Sequence, residues 1–337
     1  MKKFKLLSII VVGIFLVFLI IIKFSEKPED VLQKHLKNRY NKEFVIYYGG
    51  NRSDGRSKWF EAEIYPKELV GTSREYDTYY WAKGFVENGK GGDTYGGVLL
   101  NESANKFYLP KLKELFGENV LPILNVEGYY EKTDFQEEMA RRREFYKEDP
   151  DGKFFPISGG IYIFGRVEND EDREKYREEI YKFLSFMKET GTFEYVDLAF
   201  YILDERILSK GFEEVKPLLV EKIEKCNNSQ EFIEYRERIL SQLNNEYRKM
   251  TSKQKQEKIN NYSKSELREF RNYGYTGYCS IYHTVLRSKK FLENESRLSM
   301  YKKLDYNSEK DIKLYNTIKI IFKEYDEKKL YNNEWGD

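Results

Sequence analysis

Two cysteines and two histidines in 337 residues leave little room for soft-ligand chemistry. Cys226, Cys279, His35 and His283 are too few and too scattered for a structural zinc site, which takes four Cys or His ligands at short spacings. That confines metal binding to oxygen ligands, and no EF-hand spacing is present. Neither a metal nor a cofactor is expected. An excess of one charge is missing as well, since 58 basic residues face 57 acidic ones and leave +1. Nucleic-acid binding depends on clustered Lys and Arg that neutralise phosphates, so no nucleic-acid partner is expected. The G-x-x-x-x-G-K-[ST] order of a P-loop and the G-x-S-x-G elbow of a hydrolase are also absent.

What is present starts with Leu6 to Ile22, seventeen residues without a charge, preceded by Lys2, Lys3 and Lys5. At about 1.5 Å per residue the run reaches about 25 Å, close to the hydrocarbon thickness of a bilayer. A secretory signal has the same order of parts, but its apolar region is usually ~7–15 residues and ends in small residues at the cut. Here Lys23-Phe24-Ser25-Glu26-Lys27-Pro28 follows, so an uncleaved transmembrane anchor over residues 1–27 is expected, with a cleaved signal as the rival. Lys23, Lys27, Lys34, Lys37 and Arg39 compete with the N-terminal lysines for the cytoplasmic side. A five-residue tail cannot form a domain, which places the bulk of the chain outside the cytoplasm, with the lipid bilayer as one partner and an envelope protein as another.

Aromatic residues make up 16% of the chain, with 29 Tyr and 23 Phe, which marks a folded composition. Lys, Asn, Ile and Tyr share A/T-rich codons, and a low-GC genome accounts for their joint excess without a sugar- or base-stacking surface. The expected class is α+β: a mixed sheet, made of an antiparallel meander and a β-α-β unit, with flanking helices. Residues 28–204 carry this domain and residues 205–337 an α-helical C-terminal region.

Pro28 opens a helix to about Asn41 with Val31, Leu32, Leu36 and Tyr40 on one face. Strands at 43–48, 59–66 and 79–87 form the meander, and the alternation of Phe60, Ala62 and Ile64 gives it one buried face. Asn88-Gly89-Lys90-Gly91-Gly92 reads as a polar loop that could offer N–H groups to an anion. Asp93 then caps a helix ending at Gly117, kinked or divided at Pro110. Val120–Glu127 is a strand and Thr133–Lys147 a helix in which Arg141-Arg142-Arg143 forms a solvated basic face. Ser158-Gly159-Gly160 is a turn before the strand 160–167. The helix 170–190 leads to the strand 195–203, and the two strands are parallel neighbours. Beyond Asp204 the pattern is helical, at 213–225, 229–250, 263–272, 278–288 and 311–329, with a polar link at 251–262.

The run Val31-Leu32-Gln33-Lys34-His35-Leu36-Lys37-Asn38-Arg39-Tyr40-Asn41-Lys42-Glu43-Phe44-Val45 resembles the opening of uncharacterised membrane-anchored or secreted proteins of low-GC bacteria. Tyr65-Pro66-Lys67, Asp93-Thr94-Tyr95 and Leu112-Lys113-Glu114-Leu115-Phe116-Gly117 extend the resemblance over residues 28–127, with Asn41 at the usual glycine. It implies a location and no activity.

No residue is assigned to catalysis, cofactor or metal. The candidates each have a structural alternative. Cys279 and His283 would share one face of a helix, the start of a cysteine nucleophile; a buried thiol beside a surface imidazole is the alternative. Cys226 and Cys279 either form a bridge worth ~4 kcal/mol or stay as two thiols. His35 is a surface or structural residue. Asp197 within a strand and Asp204-Glu205 at its end are placed for acid–base or metal work on a rigid scaffold. Asn51-Arg52-Ser53 and Asn101-Glu102-Ser103 match glycosylation sequons. The leading expectation is a membrane-anchored binding module without catalysis of its own; an envelope hydrolase or transferase, and a helical scaffold or immunity-type protein built on 205–337, are the alternatives.

Overall fold

The computed structural model describes residues 26–128, 132–148, 156–166, 169–193, 196–210, 214, 229–267 and 280–287. The apolar run Leu6–Ile22, both cysteines and the expected helix at 311–329 lie outside them, and of the expected helix at 213–225 only Glu214 is described. Among the described residues no helix is long and apolar enough to cross a membrane. The chain packs as two units, one formed by residues up to Val70 with Trp81–Tyr95, the other by Gly71–Tyr80 with the chain from Gly96 onward. The α+β class holds, but with two four-stranded sheets in place of one.

In the first unit, helix α1 (Pro28–Tyr40) starts on Pro28 and ends where Asn41 turns left-handed at φ 52°. It covers one face of the antiparallel sheet β1 (Phe44–Ser53), β2 (Lys58–Pro66), β3 (Ala82–Glu87) and β4 (Lys90–Asp93). The meander is therefore as expected, with one more strand. The glycine loop is the second half of a hairpin: Asn88 and Gly89, at φ 51° and 72°, make the two-residue turn, and Glu87 pairs with Lys90. The amides read as an anion cradle thus belong to strand β4. Leu32 and Leu36 are fully buried, each worth about 1.5–3 kcal/mol. Leu32 approaches closely because β3 offers Gly84 below it: a Cβ there would lie 2.7 Å from Leu32 Cδ2.

In the second unit, helix α2 (Tyr95–Phe116) runs through Pro110 without a break, which corrects the expected division, and stops at Gly117 in the left-handed region at φ 80°. Strands β5 (Val120–Val126), β6 (Ile157–Gly165), β7 (Val196–Asp204) and β8 (Ser280–Arg287) form the second sheet in that order. β6 and β7 are parallel, as expected of a β-α-β unit around α4 (Asp170–Glu189); the outer pairs are antiparallel. Leu100, Tyr108 and Leu112 of α2, Phe135 and Met139 of α3 (Phe135–Glu148), and Ile180 and Phe183 of α4 meet Leu198, Phe200 and Ile202 in one core. The alternate residues of the sheet are buried too. Tyr162 stacks on Tyr201 and donates to the Leu267 carbonyl at 2.6 Å, and Phe164 packs on Tyr262.

Three further segments differ from expectation. Ser158-Gly159-Gly160 lies inside β6, where Gly159, at φ 130°, lets β5 pass so closely that a Cβ would sit 2.3 Å from the Ile123 carbonyl oxygen. The polar link after Met250 is mostly helix α6 (Ser252–Asn261), which follows α5 (Ser229–Tyr247) and opens with a capping box between Thr251 and Gln254. The region beyond Asp204 is not helical throughout, because residues 280–287 extend as β8 beside β7.

Candidate functional site

The Cys279–His283 pair was expected on a helix, and strand β8 places His283 on extended backbone instead. His283 is a strand residue paired in register with Tyr201. Cys279 lies outside the described residues. The carboxylates at the end of β7 are engaged. Asp204 accepts from Arg206 Nε at 2.9 Å and a second guanidinium nitrogen at 2.7 Å, besides the Arg206 amide. Glu205 accepts from the Tyr247 hydroxyl at 2.5 Å and pairs with Arg166 at 3.1 Å. These bonds tie the end of β7 to α5. Asp197 lies buried within β7.

Arg141-Arg142-Arg143 is not the uniformly solvated face that its composition suggested. Arg142 is only 1% exposed, pairs with the equally buried Glu138 at 3.1 Å and donates to the Glu127 carbonyl. The sequon at Asn101 is closed in the same way, since its side-chain oxygen accepts from the Val126 amide at 2.7 Å. Asn51 is exposed on β1.

Two polar clusters went unread in the sequence. In the first unit, Asp93 has a fully buried side chain. One oxygen receives His35 Nε2 at 2.8 Å and Arg39 at 3.1 Å; the other receives the Tyr40 hydroxyl at 2.6 Å and the Tyr95 amide at 2.9 Å. His35, Arg39 and Tyr40 share a face of α1, so this carboxylate locks the helix to the sheet edge. In the second unit, Asp77 accepts from the Lys264 and Ser265 amides at 2.6 and 2.9 Å. Lys264 bonds Glu102 at 2.6 Å and lies 4.4 Å from the centre of the Tyr79 ring. Burial pushes the Lys264 ammonium below the ordinary lysine range, against the pull of Glu102.

Among the described residues the large exposed aromatics include Tyr48 of the first unit and Tyr76 of the second, each 76% exposed, and it is in the first unit that they cluster. Edge strand β1 carries a bulge between Tyr47 and Gly50, and in it Tyr48 takes φ 47° while remaining 76% exposed. A tyrosine in that conformation costs about 1–2 kcal/mol that a glycine would not. Tyr47 meets the Tyr48 ring at 4.2 Å and Trp81 at 5.4 Å, and Trp81 stacks on Tyr65 at 5.1 Å. Four aromatic rings thus run together from buried Tyr65 to exposed Tyr48. Separately, a cleft of about 660 Å³ opens between the start of α1 and the β1–β2 hairpin. Among the described residues no group of His, Cys, Asp and Glu could hold a metal ion.

No protein-family model matches the chain, and no curated protein matches it. One solved structure is similar to it in part. The crystal structure of a DUF5037 family protein from Ruminococcus gnavus shares 15% identity and covers 56% of this chain and 78% of its own, with a TM-score of 0.34. A likeness at that level carries neither fold nor function over to this chain.

Proposed function

We propose that this protein is a single-pass membrane protein whose extracytoplasmic part is a binding module for an envelope partner, with the aromatic row of the first unit as its contact surface. The observation that carries this reading is Tyr48. A non-glycine residue held left-handed in a bulge, with its ring turned outward beside Tyr47 and Trp81, spends folding stability on presenting that ring. Exposed aromatics of this kind anchor interfaces, because they bring large apolar area at low entropic cost. The anchor is proposed from the uncharged run Leu6–Ile22.

The test places a photo-crosslinking phenylalanine analogue at Tyr48 in growing cells, with the same analogue at exposed Lys90 as the control. Discrete adducts at position 48 that disappear in a Trp81→Ala background are expected. Equal labelling at both positions would refute the surface, and a C-terminal domain protected from protease on intact cells would refute the orientation. Tyr48→Gly supplies a second arm with the analogue moved to neighbouring Tyr47: it relieves the backbone and should raise stability while abolishing capture.

A further inference from the structure

The cleft at the start of α1 is lined by Glu26, Val31, Arg52, Lys58, Trp59 and Phe60, among others. Val31 and Phe60 contribute apolar lining, and Arg52, Lys58 and Glu26 together leave the lining with a single positive charge. Arg52 and Lys58 have no salt-bridge partner among the described residues. Glu61, held down chiefly by Lys83, also feels Arg52 from β2. Chain length places this cleft. Glu26 follows the last residue of the apolar run, Ile22, by four residues, and four residues span at most about 14 Å. An anchored chain therefore holds the cleft within reach of the headgroup layer whatever path those residues take.

We propose that this cleft receives the phosphate of a membrane lipid headgroup, with Arg52 and Lys58 as its donors, Trp59 against the glycerol region and Glu26 setting an upper limit on the anionic charge accepted. The inference rests on the anchored reading for its lipid source. A phosphodiester monoanion matches the charge of the wall, and a tryptophan beside paired cations is the side-chain set that favours the polar–apolar boundary of a bilayer. The aromatic row and the cleft are separate features, so the same unit would hold a partner and the membrane surface at once.

The test uses the full chain in non-ionic detergent, titrated with dihexanoyl-phosphatidylglycerol, with inorganic phosphate, and with dihexanoylglycerol, which lacks the phosphate. Trp59 emission is followed in a Trp81→Phe, Trp335→Phe background, and broadening of the lipid's phosphorus resonance is followed on the unsubstituted chain. A saturable response to the phospholipid is expected, with none to dihexanoylglycerol. It should weaken about fivefold in Arg52→Gln and in Lys58→Gln, and tighten by about the same factor in Glu26→Gln. Absence of saturation by both readouts, or indifference to the Arg52 and Lys58 substitutions, overturns the site. Equal affinity for inorganic phosphate overturns the lipid assignment. Resistance of the chain to alkaline extraction from cell membranes reads the anchor separately: extraction with the titration intact removes the anchor alone.

Discussion

Replacing Asp93 tests whether one carboxylate holds the first unit together. Its side chain is fully buried and takes four donors, of which the His35 and Arg39 side chains keep 26% and 32% of their exposure. Solvent screens those two, so their attraction is discounted to about 1 kcal/mol or less apiece. The Tyr40 hydroxyl and the Tyr95 amide bond a buried charge, and such bonds contribute about 1.5–3 kcal/mol each. Asp93→Ala strands all four donors and should cost about 4 kcal/mol, within the range for breaking a buried charged pair. Asp93→Asn keeps one oxygen for Tyr40 and Tyr95 and presents an amide donor to Arg39; a loss of about 2 kcal/mol is expected. Urea unfolding of the full chain in detergent measures this through Trp59 and Trp81, both in the first unit, with Trp335 replaced by Phe. The Arg39→Gln control should cost under about 1 kcal/mol. If Asp93→Ala costs no more than that control, the three bonds from α1 do not hold that helix to the sheet.

Lys264 gives a pH prediction. Burial lowers its folded-state pKa, so the unfolded chain binds that proton more tightly. Its contribution to stability therefore rises with pH from the lowered value up to about 10.4, the ordinary lysine value. Tyr80, raised by burial, contributes with the opposite sign only above about 10. Denaturant midpoints should climb on the alkaline side of neutrality up to about pH 10, and Lys264→Met should flatten the climb; a wild-type curve as flat as the variant's would refute it. Gly159→Ala pushes a Cβ into the Ile123 backbone and should cost about 3 kcal/mol or more, whereas Gly117→Ala, left-handed but open, should cost about 1 kcal/mol; equal thermal shifts would count against the close β5–β6 approach. Thr251→Ala removes the capping box of α6 and should cost about 1 kcal/mol, read as about fivefold faster amide exchange in that helix.

Helices α1 and α4 and the parallel pair β6–β7 were legible in the sequence, because proline, apolar spacing and glycine punctuation agreed with one another. Strand β4 was not, since Lys90-Gly91-Gly92-Asp93 contains no apolar residue; the Asn88-Gly89 turn was its one signal. Helix α6 is almost wholly polar, and only Thr251 and Gln254, three apart, announced it. For β8, Ile281, Tyr282, Thr284 and Val285 carried β-favouring side chains that the surrounding helical pattern outweighed. Arg142 and Glu138 look the same in sequence whether solvated or buried. Asp93 and His35 stand 58 residues apart, and no local pattern joins them. The bulge at Tyr48 was equally silent, since a tyrosine gives no hint of left-handed backbone.

The Asp77 carboxylate has a consequence for synthesis. Residues 71–80 lie between β2 and β3 in the chain yet belong to the second unit, where Asp77 caps the amides of Lys264 and Ser265. The first of those amides is made 187 residues later. At about 5–20 residues per second, Asp77 waits roughly 10 to 40 s for its partners after it is made. For that interval the excursion between two strands of a finished hairpin sheet is a loop without its clasp, open to proteases. Cleavage there in nascent chains but not in completed ones would mark the moment at which the second unit closes.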